Sequence, residues 1–144
     1  MVHLEFVTPF MPEAKGQGRG NSGCYLQGRY EVQILDSFGL AGEMHECGGI
    51  YSVNKPKINM CFPPLSWQTY DIEFTAARFD SNGKKTSHPK MTVYHNGVLI
   101  HENQDMKNGK TLAAPFDETP EPQSHYLQWH DNVVHFRNIW VVER

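Results

Sequence analysis

The sequence predicts an all-β chain, an antiparallel two-sheet β-sandwich or jelly roll, and three observations carry that prediction. Short segments of alternating apolar and polar residues recur along the whole length, the period-2 signature of half-buried strands. Turn-forming clusters separate them: Gly16-Gln17-Gly18-Arg19-Gly20, Pro63-Pro64, Ser81-Asn82-Gly83, Asn108-Gly109 and Pro120-Glu121-Pro122. Finally, Asn96-Gly97 sits between Thr92-Val93-Tyr94-His95 and Val98-Leu99-Ile100-His101, and Asn-Gly favours the positive φ angles of a two-residue hairpin turn. Many short strands with regular turns are the pattern of sandwiches. The length of 144 residues fits one domain spanning 1–144 and suffices to bury a core.

The elements follow in order. Leu4-Glu5-Phe6-Val7 marks a strand over 3–8, so the chain opens directly on a running strand. Strands at 22–28 and 30–36 are expected to join at Gly28-Arg29. Further strands are expected at 48–53 and 57–62. In 67–75, Tyr70, Ile72 and Phe74 alternate with Thr69, Asp71 and Glu73; strands 90–95 and 98–103 form the Asn-Gly hairpin. Strands at 124–130 and 133–142 close the chain, the last with Val134, Phe136, Trp140 and Val142 on one side and His135 and Arg137 on the other. An apolar inner face and a polar outer face is what two packed sheets require. A short polar stretch, Leu40–Glu46, is the one helix-like possibility.

Composition excludes several functions. The net charge is −3 and the densest basic spot is Lys84-Lys85, which leaves no basic footprint for nucleic acid and no polybasic membrane patch. No apolar run reaches membrane-spanning length, and no signal peptide opens the chain. Cys24, Cys47 and Cys61 form no CxxC pair and no closed zinc set. Cys24 falls on an apolar face, whereas Cys47 and Cys61 flank a loop and could be bridged in an exported chain. Oligomeric state has no sequence signal.

The stretch Asn21–Ser37 is the most informative. Tyr30, Val32 and Ile34 share one strand face and Glu31 and Gln33 the other, while Cys24 and Leu26 oppose Tyr25 and Gln27. Pairing the two strands builds a surface of an aromatic ring, two amides and a carboxylate from Tyr25, Gln27, Glu31 and Gln33. Wet sheet faces usually carry Lys, Thr and Glu; this one resembles the floor of a sugar site, with ordinary solvent exposure as the alternative.

The strings Gly20–Ser37, Cys47-Gly-Gly-Ile-Tyr51, Pro63-Pro64 with Trp67–Phe74, and His95-Asn-Gly-Val98 continue into Leu127-Gln-Trp-His-Asp-Asn132 and Phe136-Arg-Asn-Ile-Trp140. In that order they resemble the 3-keto-disaccharide hydrolase family, a glucanase-related group of the concanavalin A-like fold. The resemblance implies a carbohydrate partner and a periplasmic or extracellular location. It also shows departures. Strands and a signal peptide that usually open the family are not seen here, so the fold is expected to lack N-terminal strands. A Gln-Asp-His motif is Gln128-Trp129-His130, and His135 replaces a common Arg.

The resemblance implies action on glycosides carrying a ketone at C3, which acidifies the C2 hydrogen and places the C1 oxygen β to the carbonyl. Such chemistry needs a base, an enolate-stabilising donor and an acid for the departing oxygen. Glu31 and His130 are the titratable candidates within matched strings, histidine because its ordinary pKa lies near neutrality. Gln33 and Gln128 would orient hydroxyls, Gln27 would join them on the floor, and Tyr25 or Tyr51 could stack on the ring. Arg29 or Arg137 could steady the enolate, although an exposed strand arginine more often pairs with an acid. The E-x-D-x-x-E strand of retaining glucanases is absent, and Glu31 and Asp36 face opposite sides of a regular strand. No cofactor is specified. A divalent metal is possible at His45 with Glu43 and Glu46, but no clustered-Asp calcium pattern appears. A non-catalytic carbohydrate-binding module of the same fold is the competing reading.

Overall fold

A computed structural model describes residues 1–143. Ten strands form it: β1 (Val2–Val7), β2 (Ser22–Leu26), β3 (Tyr30–Ile34), β4 (Gln68–Thr75), β5 (Arg78–Phe79), β6 (Lys85–Ser87), β7 (Lys90–His95), β8 (Val98–Asp105), β9 (Tyr126–Leu127) and β10 (His135–Val141). A five-stranded sheet runs in the order β10-β1-β4-β7-β8, a three-stranded sheet in the order β3-β2-β9, and β5-β6 is a small hairpin. The pairings are antiparallel throughout. The only helix among the described residues is one 3-10 turn, Gly16–Gly18.

The core forms where the alternation places it. Leu4 and Phe6 of β1, Tyr70 and Ile72 of β4, and Met91 and Val93 of β7 pack with Cys24, Leu26, Tyr30, Val32 and Ile34 of β2 and β3. Tyr70 carries its hydroxyl into this apolar layer and donates it to the Gln33 carbonyl at 2.6 Å, so the two sheets are tied by a satisfied polar group. Asn96 and Gly97 take φ of 51° and 77° in the β7–β8 turn, as the hairpin rule requires.

Several boundaries differ from the sequence expectation. The β2–β3 turn is Gln27-Gly28, both at positive φ, closed by Arg29 N–H on the Leu26 carbonyl at 3.1 Å. The turn is therefore one residue earlier than Gly28-Arg29. Segment 48–53 pairs with β3 only at Ile50↔Val32, because Gly48 and Ser52 adopt φ of 81° and 61° and bend the chain off the ladder. Segment 57–62 is not a strand; side chains capture its backbone, as where Asn96 Nδ2 donates to the Met60 carbonyl at 2.8 Å. Residues 40–46 form turns instead of a helix. In β10 the register jumps between Glu5↔Arg137 and His3↔Trp140, with Asn138 at φ 48°. This bulge shifts the alternation. Phe136 packs on the core, but Trp140 stacks on His3 with ring centroids 4.9 Å apart, on the outer face.

A buried histidine gives the fold a pH signature. His95 is fully buried; its Nε2 donates at 2.9 Å to Gln68 Oε1, an oxygen that also accepts the Phe62 N–H, and its Nδ1 has no partner. Burial lowers its pKa from 6.5 to about 4. Between those values the unfolded chain takes up a proton that the folded chain refuses, so stability falls as pH falls. The contribution is about 3 kcal/mol over the window. Urea melts across it should show His95→Gln gaining stability relative to the native chain as pH falls; a difference that does not change with pH would contradict the assignment.

Candidate functional site

The polar face of β2 and β3 is where the structure departs furthest from an ordinary wet sheet. All residues of both strands are buried, although only Cys24, Leu26, Tyr30, Val32 and Ile34 belong to the inter-sheet core. Tyr25, Glu31 and Gln33 lie on the opposite face and are 0–1% exposed. Loops cover them. Along the free edge of β3, Gly48 and Tyr51 donate backbone N–H to the Gln33 and Glu31 carbonyls, and Gln33 N–H donates to the Gly49 carbonyl. Across the face, Gln17 Oε1 accepts Gln33 Nε2 at 2.9 Å, and Gln17 Nε2 donates to the His45 carbonyl at 2.8 Å.

The register brings the chemistry together. Tyr25 pairs with Glu31 and Gly23 with Gln33. The Tyr25 hydroxyl is hydrogen-bonded to the Glu31 carboxyl, and Gln128 Nε2 donates to that hydroxyl at 3.1 Å. Gln128 reaches it because its N–H extends the β9 ladder onto the Gly23 carbonyl at 2.9 Å. Glu31 lies flat over β2: a Cβ on Gly23 would stand 2.2 Å from Glu31 Oε1 and 2.9 Å from its Cδ. Only glycine leaves that space.

Burial pushes the Glu31 carboxyl from 4.5 up to about 7, and the Tyr25 hydrogen bond offsets this only in part. Burial, and then the charge of Glu31, raise Tyr25 well above the ordinary phenol range. Three buried side-chain oxygens face no donor: Glu31 Oε2, Gln33 Oε1 and Gln128 Oε1. Buried polar atoms are rarely left so. One carboxylate oxygen and two amide oxygens left as acceptors suit a ligand rich in hydroxyl donors.

Tyr51 joins this cluster at its edge, with the His45 ring packed edge-on at 4.8 Å between centroids. His130 is exposed, two positions past Gln128 on the segment leaving β9, and Trp129 beside it is 67% exposed with Nε1 on Asp131 Oδ1 at 3.2 Å. The remaining candidates lie elsewhere. Gln27 occupies the turn and lines a cavity of about 610 Å³ at the hairpin end of the sandwich, with Phe74, Arg78 and His125. Arg29 is a structural clamp: it is 2% exposed and donates to the Asp117 and Glu121 carbonyls, Thr119 Oγ1 and Gln27 Oε1 at 2.8–3.2 Å. Arg137 stands on the outer face of the five-stranded sheet, 2.5 Å from Glu5 Oε2 and 3.9 Å over the Trp67 ring.

The postulated metal set does not converge. Glu46 Oε2 accepts the Gly42 and Glu43 N–H groups at 2.7 and 2.8 Å, while His45 Nε2 meets Ser52 Oγ at 2.9 Å. Among the described residues no group of three or more potential ligands gathers. Sequence reasoning missed Gln17, Thr111, whose Oγ1 accepts the Glu31 N–H at 3.1 Å, and Tyr126, whose ring lies 5.7 Å from Tyr25. Gln17 read only as part of a glycine-rich turn; Tyr126 was detectable, since it shares Gln128's side of its strand.

Comparison with known proteins places the chain. A crystal structure of a protein from Parabacteroides distasonis ATCC 8503, assigned by inference to the glycosyl hydrolases, is 34% identical with a TM-score of 0.83 over 96% of this chain and 61% of that one. The chain thus spans about three-fifths of that relative. A second crystal structure from the same organism, assigned in the same way, is 16% identical with a TM-score of 0.64 and covers 96% of this chain and 68% of its own, a likeness of fold. No curated protein matches. No helix among the described residues is long and apolar enough to cross a membrane. The family model for the 3-keto-alpha-glucoside-1,2-lyase-like domain matches residues 2–142, and the chain belongs to that family.

Proposed function

We propose that this chain cleaves 3-keto-glycosides by removing the C2 proton and expelling the C1 substituent, followed by hydration. The observation that carries the reading is the set of unpartnered acceptors, Glu31 Oε2, Gln33 Oε1 and Gln128 Oε1, with burial raising the Glu31 carboxyl to about 7. A base works best when its pKa lies near the operating pH. Glu31 takes the C2 proton, and electron density moves onto the C3 oxygen. The Tyr25 hydroxyl and the Gln128 amide are the donors beside Glu31, and they stabilise that oxygen in place of the arginines, which are held elsewhere. The C1–O bond breaks as His130 protonates the departing oxygen. Water then adds, oxygen to C1 and a proton to C2. Gln33 and Tyr51 hold the ring.

Incubation with a 3-keto disaccharide and with its unoxidised parent, in deuterium oxide, tests this. Monosaccharide should be released only from the keto-sugar, with deuterium at C2 of the keto product. Release without label at C2 would refute the elimination route. Affinity for the sugar without turnover would replace the enzyme with a binding module of the same fold.

A further inference from the structure

Two cysteines outside the site share one buried pocket. Cys47 and Cys61, at the two ends of loop 48–60, are both buried and unbridged, and both belong to the same core cluster. Both ends of the loop are held on the strip that leaves β3. The Cys47 N–H donates to Ser37 Oγ at 2.9 Å, and Asn59 Nδ2 donates to the Ser37 carbonyl at 2.8 Å. Cys47 Sγ lies 3.2 Å from the Tyr70 hydroxyl, and Cys61 Sγ lies 3.6 Å from the Leu35 carbonyl. The fold therefore holds both cysteines against Leu35 and Ser37, two residues apart on one strip, with non-covalent bonds alone, the kind of proximity a disulfide needs. Cys24 sits apart from this pair in β2, opposite Val32 and Leu127.

We propose that Cys47 and Cys61 form a disulfide when the chain folds in an oxidising medium, and that the bond clamps segment 47–51 along the edge of β3. That segment supplies the Gly48, Gly49 and Tyr51 backbone bonds to Gln33 and Glu31, so the clamp bears on the proposed site without touching its chemistry. The oxidant is a small-molecule disulfide such as oxidised glutathione. One cysteine thiolate attacks it, forming a mixed disulfide and releasing one glutathione thiolate. The second cysteine attacks the mixed disulfide, closing the protein bond and releasing the other. The two protein sulfurs are oxidised, the two glutathione sulfurs are reduced, and the cysteine protons end on glutathione. Both thiols are buried in the native chain, so exchange takes place during folding.

The test is refolding from denaturant in oxidised or in reduced glutathione. The oxidised product should weigh two hydrogens less, yield a Cys47–Cys61 linked peptide, and melt about 10 °C higher, as expected for closing a loop of this length. Cys24→Ala should retain all three effects and Cys61→Ala should lose them; if Cys61→Ala does not fold, the peptide map of the native sequence decides. Three free thiols after oxidative refolding, a link through Cys24, or a bridged chain with an unchanged melting temperature would each overturn the proposal. None of these readouts involves a sugar, so they stand apart from the test of the proposed activity.

Discussion

Glu31→Gln is expected to lose roughly two to four orders of magnitude in turnover and to be more stable than the native chain above pH 7. The first effect follows from removing the proposed base while leaving a side chain of the same shape beside Tyr25; sugar affinity should persist through Gln33, Gln128 and Tyr51. The second follows from linkage. The folded pKa of about 7 exceeds the ordinary 4.5, so Glu31 stabilises the fold fully below 4.5 and loses that contribution as pH rises through 7. The native chain thus carries about 3 kcal/mol of cost at pH 8 that a neutral amide does not. Over the same window His95 works in the opposite sense, so the two mask one another in the native chain. In Glu31→Gln the acid-side loss from His95 should stand uncovered. Paired measurements of turnover on a keto-disaccharide and of urea stability at pH 4, 6 and 8 check all of this. Native-like turnover in the variant would remove Glu31 from the chemistry, and equal stability at pH 8 would remove the buried charge.

Gly23→Ala should cut turnover by about two orders of magnitude through geometry alone. Gly23 has no side chain to act on a substrate; it leaves room for Glu31. An added Cβ would overlap Glu31 Oε1 at 2.2 Å, and the flexible carboxyl end must swing away. Because that end can move, the expected thermal shift is a few degrees, far less than the change in rate. The loss should appear in kcat more than in KM, and the pH profile of the residual activity should move, since a displaced Glu31 leaves the environment that raises its pKa. A purely structural glycine would lower stability and leave the pH profile unmoved.

Much of this arrangement was legible because period-2 alternation is a strong local signal. Tyr25, Glu31, Gln33 and Gln128 come together as the strand pattern requires, and Asn96-Gly97 turns as its chemistry demands. What was illegible depends on distant chain. Whether the polar face of β2 and β3 meets water or a loop is decided by Gln17 and the 45–51 segment, which carry no strand pattern of their own. Arg29 and Arg137 looked alike as available cations. Their partners, the 117–121 loop and Glu5, lie far along the sequence. The Asn138 bulge inserts one residue into an otherwise regular alternation, and nothing local announces it.

The placement of β1 between β4 and β10 sets the order in which the protein can acquire its structure. β1 is flanked on one side by β4, more than 60 residues later, and on the other by β10, later still. During synthesis Leu4 and Phe6 must wait, with one ladder of β1 unmatched until residues 135–141 have been made. Pairings of this span close slowly, because the loop entropy is met before the contacts repay it. Until β10 arrives, the β1 edge is an open template for other strands. Folding yield, more than final stability, is therefore what a lesion in β10 would reduce first.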